Sequence, residues 1–454
     1  MSFVSIDPAT GERVAVYDAM SEAALRDAVH GAQKAFLRWR DTPLKERAAC
    51  LRRAAESLRA DAASHAKLMA REMGKPVRDG VAEVNKCAGA FDYYAEHGAQ
   101  FLARERVMTE ARASWIDYEP LGLVLAVMPW NFPFWQVVRF AAPALMAGNG
   151  ALLKHAANVS GCAIAIERVF SAAGFPNDLF RALLIEHEAV DALIADPRVK
   201  AVTLTGSDGA GRAVAARAGS LLKKTVLELG GSDPYLVLAD ADLDLAATVC
   251  TRARLVNNGQ SCIAGKRFIV VESVRAEFEK RFVEKMKAAK SGNPLDEKTE
   301  IGPMARKDLR DTLHAQVTAS VAKGAKLLLG GTVPNGPGAF YPATVLTDVA
   351  RGMPAFDEEV FGPVAAIVTV KDEDAAIAAA NDSNFGLGAA VITRDTNRAE
   401  RVAAKLESGM VFINDNVRSD TRLPFGGVKA SGYGRELGAI GIKEFVNAKS
   451  VYLA

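Results

Sequence analysis

The stretch LGLVLAVMPWNFPFWQVVRFAAPALMAGNGALLKHAAN, Leu121 to Asn158, is where the fold becomes readable. It opens on a short apolar run, passes a loop bounded by Pro129 and Pro133, continues as an apolar helix and closes on a second run ending at Lys154. Strand, helix, strand is a βαβ unit, whose two strands lie parallel. The alternation continues downstream. VKAVTLTG from Val199, YLVL from Tyr235, RFIVV from Arg267 and PVAAIVTV from Pro363 read as strands, with helices over 160–173, 209–222, 243–257, 274–290 and 372–382. The expected class is therefore α/β with largely parallel sheets. Upstream, Ser21 is placed to cap a helix reaching Trp39, and Pro43 opens a longer helical segment that stops at Gly74. SWIDYEPLG, Ser114 to Gly122, alternates polar and apolar residues and reads as an exposed strand, an edge that needs a partner.

Composition bounds the function. A chain of 454 residues exceeds one ordinary core and implies two or three domains. Its 56 Lys and Arg against 54 Asp and Glu leave a net charge of +2, which makes no electrostatic case for a nucleic-acid or membrane partner. No apolar stretch approaches the roughly 20 residues that span a bilayer, and MSFVSIDPATGERV lacks the pattern of a secretory signal. The five cysteines are scattered with no C-x-x-C pair, which argues against disulfides and a metal site and fits a reducing cytoplasm.

Five motifs carry chemistry. In NNGQSCIAGKR, Asn257 to Arg267, Cys262 follows a turn and precedes a strand, so its sulfur can face a cleft. A thiolate is a strong nucleophile but needs a base or an electropositive setting to form. In VLELGGSDP, Glu228 lies in an apolar run before a Gly-Gly break, where desolvation raises a carboxylate toward the range of a general base. Taken alone it is equally a strand-end Glu paired with Lys or Arg. Asn131, held between prolines, can aim its amide at a developing oxyanion or simply satisfy its own turn. TLTGSDGAGR, Thr203 to Arg212, offers a helix start to phosphate, without being the G-x-G-x-x-G fingerprint. Lys154 ends a strand, the place where open α/β sheets bind ligands. In DEEVFGPV, Glu359 can accept from ribose hydroxyls and Phe361 can pack on a nicotinamide ring; taken alone, each is more often a surface charge or a core aromatic.

The order PWNFP, K-x-A, TGSxxxG, ELGG, GQxC, EEVFGPV and PFGGVKASGYGRE strongly resembles the aldehyde dehydrogenase superfamily over essentially the whole chain. The resemblance implies Cys262 as nucleophile, Glu228 as general base and Asn131 as oxyanion donor with the Cys262 backbone N–H. It implies a cofactor site made by Trp130, Lys154, Ala157, Gly206, Ser207, Gly211, Leu229, Glu359 and Phe361. The thiolate would add to an aldehyde, hydride would pass to the nicotinamide of NAD or NADP, and water activated by Glu228 would hydrolyse the thioester. Within the superfamily the wording is most similar to the bacterial succinate-semialdehyde dehydrogenase branch. That implies Arg139 as the anchor for a second substrate carboxylate, with Trp135, Ser261 and Ser419 around it.

Alternatives stay open at this point: another aldehyde such as glutarate semialdehyde, release of the thioester to CoA, a cofactor-independent thiol esterase, or a silent structural member. Ala157, where many NAD-preferring relatives carry Glu, leaves nothing there to repel a 2′-phosphate, and the balance leans toward acceptance of NADP. His155, where a proline is common, reads as a packing variant. The resemblance also implies a cofactor-binding domain over 1–106 and 121–230, a catalytic domain over 231–430, and an oligomerisation arm and tail over 107–120 and 431–454, assembled as a homodimer or homotetramer.

Overall fold

The computed structural model describes residues 2–454. The first βαβ unit forms as expected. Leu123–Met128 and Gly150–His155 are parallel neighbours, and the Trp135–Met146 helix crosses between them. They belong to a six-stranded sheet in the order Gly432–Tyr433, Lys224–Glu228, Val199–Thr205, Leu123–Met128, Gly150–His155, Phe180–Ala182. All neighbours are parallel except Gly432–Tyr433, an antiparallel edge that the C-terminal tail adds. The chain leaves Leu123–Met128 toward one edge and returns to its other side at Val199–Thr205. That reversal opens a crevice at the carboxyl ends of these strands.

After Glu228 the chain crosses Gly230 and Gly231 and enters a seven-stranded sheet ordered Lys326–Leu329, Thr344–Thr347, Val364–Val370, Gly265–Val271, Asp233–Val237, Gly388–Ile392, Met410–Ile413. Only Lys326–Leu329 runs antiparallel. Buried Val, Ile, Leu and Ala fill both faces of the two sheets, the pattern of strands covered by helices. The edge strand Ala113–Pro120 finds its partner at the other end of the chain. It pairs with Val446–Leu453 over eight residues and with Glu105–Arg106 on its far side.

Three helical expectations are corrected. The segment from Pro43 to Gly74 is two helices, Leu44–Ala60 and Ala62–Met73, broken at Asp61 (φ −107°, ψ 18°). Asp competes with the helix for its own backbone, which its composition signal alone does not place. The helix expected over 209–222 ends at Ser220, and the one expected to reach residue 257 ends at Leu255. Asn257 and Asn258 are left-handed (φ 53° and 58°), a conformation Asn tolerates better than most residues. No helix of the described residues is long and apolar enough to cross a membrane.

Candidate active site

The left-handed turn is the key to the site. Asn257, Asn258 and Gly259 (φ 73°) reverse the chain and present Gln260, Ser261 and Cys262 before the Gly265–Val271 strand begins. A Cβ at Gly259 would lie 2.3 Å from the carbonyl carbon and oxygen of Gly362, so position, φ and space all demand glycine. The side chain of Asn257 donates to the Asn131 carbonyl (2.7 Å) and the Gln260 carbonyl (3.0 Å), and the Asn131 amide donates to that same Gln260 oxygen (3.1 Å). Asn131 and Cys262, in loops flanking strands of different sheets, are thereby clasped together. Gln136 donates to the Asn131 Oδ1 (3.0 Å), which fixes the amide's orientation and keeps its N–H groups turned toward the turn. His155 secures the same loop: its Nδ1 lies 3.1 Å from the Met128 carbonyl and its Nε2 2.9 Å from the Pro133 carbonyl, so the neutral ring donates to one or the other according to its tautomer. Burial pulls this imidazole down to about 4, so it is neutral. It is a structural tie across the loop as well as a packing residue.

Of the five free cysteines, Cys262 is the one that is not buried at the residue level. Its thiol lies in an apolar setting, and desolvation pushes it up to about 12 against the pull of Arg139 and Lys266. The resting nucleophile is a thiol, and a proton must leave before it attacks. Lys266 holds the turn from beneath, donating to the carbonyls of Ser261 (2.9 Å) and Cys262 (2.7 Å).

Glu228 ends its strand 1% exposed, with neither carboxylate oxygen hydrogen bonded. Desolvation raises it well above the usual carboxylate range; Arg139 opposes that and Glu436 adds to it. Its sequence alternative, a strand-end carboxylate in an ion pair, is not what the structure gives. The ion pair belongs to its neighbours: Arg139 meets Glu436, both buried, and the Arg139 guanidinium also donates to Thr205 Oγ1 (3.3 Å) and lies 4.4 Å from the Phe425 ring centroid. Arg139 therefore reaches this space with its charge already shared.

On the substrate side, Trp135 donates to Ser419 Oγ (3.0 Å), and Ser261 is buried with its hydroxyl unpaired. Sequence reading missed Lys86, whose Nζ lies 2.5 Å from that same Ser419 oxygen and 4.2 Å from the Trp135 ring centroid. A signal existed. Glu83, Cys87 and Ala90 are buried on the Val77–Phe101 helix, and Lys86 lies on that inward side rather than on the solvent face.

At the crossing between the two sheets, a cavity of about 600 Å³ is lined by Ser207, Arg212, Gly230, Glu359 and Phe385 among others. Ser207 caps the Asp208–Ser220 helix, accepting from Ala210 N, and Gly206 leaves the turn before it bare. Gly211 lets the helix pack on Leu229, since a Cβ there would meet both Leu229 methyls at 2.6 Å. Glu359 accepts from the Gly231 N–H (3.0 Å) and sits 3.4 Å from Lys266 Nζ, and Phe361 meets Trp130 edge to face at 5.8 Å. Lys154 stands half-buried at its strand end, lowered by burial, beside exposed Ala157.

Comparison with known proteins accounts for this arrangement: the sequence model of the aldehyde dehydrogenase family matches residues 1–451. The chain belongs to that family. It is 50% identical over the full length of both chains to a probable NADP-dependent succinate-semialdehyde dehydrogenase of Synechocystis. It is 49% identical to the NAD(P)-dependent succinate semialdehyde dehydrogenase of Escherichia coli, covering 99% of this chain and 97% of that one. Among solved structures, the succinic semialdehyde dehydrogenase of Streptococcus pyogenes in complex with NADP superposes with a TM-score of 0.97 at 38% identity, over 99% of each chain. As an aldehyde dehydrogenase the chain is an oxidoreductase, and its two-sheet architecture is that of its solved relatives.

Proposed function

We propose that this chain oxidises succinate semialdehyde to the carboxylate through a thioester on Cys262, with NAD or NADP as acceptor. The observation that carries the proposal is the clasp of Asn257 and Gln260, which puts a polar amide and a nucleophile side by side with an unpaired, desolvated Glu228 nearby. Full-length identity to the two succinate-semialdehyde dehydrogenases supports the substrate and the acceptor.

A dinucleotide fits the residues present. The N–H groups at the start of the Asp208–Ser220 helix suit a pyrophosphate, the bare Gly206 leaves room for it, Glu359 lines the same cavity and would accept from a ribose hydroxyl, and Lys154 would donate to one. Trp130, Ala157, Gly211, Leu229 and Phe361 would complete that side. When bound, the nicotinamide supplies the hydride acceptor. The protein's own part is proton and charge management. The Cys262 proton would pass to solvent water as sulfur bonds to the aldehyde carbon, Asn131 with the Cys262 N–H would stabilise the oxygen that becomes negative, and that oxygen would re-form the carbonyl as the carbon loses its hydride, leaving the thioester. Glu228 accepts a proton from the water that attacks the thioester, and cleavage of the C–S bond returns the thiol. Trp135, Ser261 and Ser419 wall the substrate, and Arg139 lends it positive potential.

A comparison of kcat/KM for succinate semialdehyde, glutarate semialdehyde and unbranched aldehydes, each with NAD and NADP, tests the reading. A clear preference for succinate semialdehyde supports it; equal rates with the uncharged aldehydes overturn it. We further propose that the three-stranded sheet of Glu105–Arg106, Ala113–Pro120 and Val446–Leu453 is the subunit contact of a cytoplasmic homodimer or homotetramer, with the cofactor and catalytic domains bounded as the sequence implies.

A further inference from the structure

A cavity of about 580 Å³ opens between the Val77–Phe101 and Leu243–Leu255 helices, and its inner wall includes Phe132, Trp135 and Asn257, from the two segments that carry Asn131 and Cys262. Five cations line it. Four have a carboxylate against them: Lys75 faces Glu83, Arg78 faces Asp79, Arg252 faces Asp415 and Lys285 faces Asp244. Lys86 is the fifth, and among the described residues it forms no ion pair. Its one hydrogen bond is to Ser419 Oγ.

Ser419 completes the argument. Its oxygen accepts from Lys86 Nζ (2.5 Å) and from Trp135 Nε1 (3.0 Å), which occupies both lone pairs and leaves the hydroxyl proton to be donated elsewhere. The residue is only 7% exposed, so that proton has little water to serve it. An ammonium with spare N–H groups and a hydroxyl obliged to donate thus stand side by side against the Trp135 ring. Burial, together with the positive charge of Arg139, pulls Lys86 down to about 8. This is the mark of a cation that an anion would stabilise.

From this geometry we infer that Lys86, which the family resemblance does not name, is a further specificity residue for the distal carboxylate of the substrate, adding a free ammonium beside the Ser419 hydroxyl and Arg139. The inference rests on the proposed oxidation of a carboxylated semialdehyde. One carboxylate oxygen would take the ammonium and the other the hydroxyl, a division of labour that Arg139, already facing Glu436, is less free to provide.

The test compares wild type, Lys86→Met and Lys86→Arg on succinate semialdehyde and on butanal, which has the same chain length and no charge. Loss of a charge-assisted bond predicts that Lys86→Met lowers kcat/KM for succinate semialdehyde by on the order of 10²-fold, chiefly through KM. Activity on butanal stays within a few-fold of wild type, and Lys86→Arg recovers most of the loss. Butanal activity also shows that the variant is folded. If Lys86→Met keeps the wild-type selectivity, or loses both substrates equally, Lys86 is not a specificity residue and the inference is overturned. If wild type itself does not prefer succinate semialdehyde, it is the proposed function that falls.

Discussion

Replacing Asn131 with alanine separates positioning from catalysis. Its Nδ2 carries two N–H groups: one is committed to the Gln260 carbonyl at 3.1 Å, and the other is left for the substrate oxygen. Deleting such a donor costs about 2.7–4 kcal/mol of transition-state stabilisation, or roughly 10²–10³ in kcat. The structural penalty is smaller. The Gln260 carbonyl keeps its bond from Asn257, so the one group orphaned is the Gln136 amide, at about 1–3 kcal/mol. Gln136→Leu removes the bond that orients Asn131 but leaves the donor, and about a tenfold loss is expected from misplacement alone. The assay is steady-state formation of reduced nicotinamide at saturating aldehyde, with thermal unfolding run in parallel. If Asn131→Ala stays within threefold of wild type in kcat, or Gln136→Leu matches it, the oxyanion assignment is wrong.

Four further outcomes are expected. Glu228→Gln should retain a first-turnover burst of reduced cofactor and lose steady-state turnover by about 10²–10⁴; loss of the burst as well would place Glu228 in the acylation half. Because the ionised form of Glu228 is the base and its carboxyl is raised well above the usual range, hydrolysis should quicken as pH rises beyond the ordinary carboxylate range, a limb that stopped-flow pH profiles of the wild type would show and the Gln variant would lack. Glu436→Gln leaves the buried Arg139 without its carboxylate, which should destabilise the fold by about 3–5 kcal/mol in chemical denaturation. Ala157→Ser, which adds a hydroxyl beside Lys154, should raise kcat/KM with NADP by about tenfold relative to NAD; an unchanged ratio would put the 2′-phosphate elsewhere.

What the sequence disclosed depended on how local each cause was. The parallel sheets followed from apolar runs and helices of the right lengths, and each strand named from such a run is present within two or three residues. Cys262, Asn131 and Glu228 stood out because turns of Gly, Pro and Asn mark where a chain stops to present a side chain. Helix ends were harder. The helix expected over 243–257 stops two residues early at Leu255, because the left-handed turn is held by bonds from Asn257 to a distant loop. Lys86 was legible only as a residue on the inward side of its helix. Its role depends on Ser419, 333 residues away in sequence, and no periodicity on its own helix reports that neighbour. Arg139 was noticed, but the sequence could not show that Glu436 had already engaged it.

The clasp between the Asn131 loop and the Asn257–Gly259 turn has an engineering consequence. The two loops lie 126 residues apart in the chain, yet their spacing is set by two short bonds rather than by the sum of all that folds between them. The reacting pair behaves as a cartridge, and the surrounding walls as replaceable housing. Libraries that diversify the Lys86, Trp135 and Ser419 side should therefore change which aldehyde enters while the turnover machinery keeps its alignment, whereas a single Gly259→Ala would misalign it for every substrate at once.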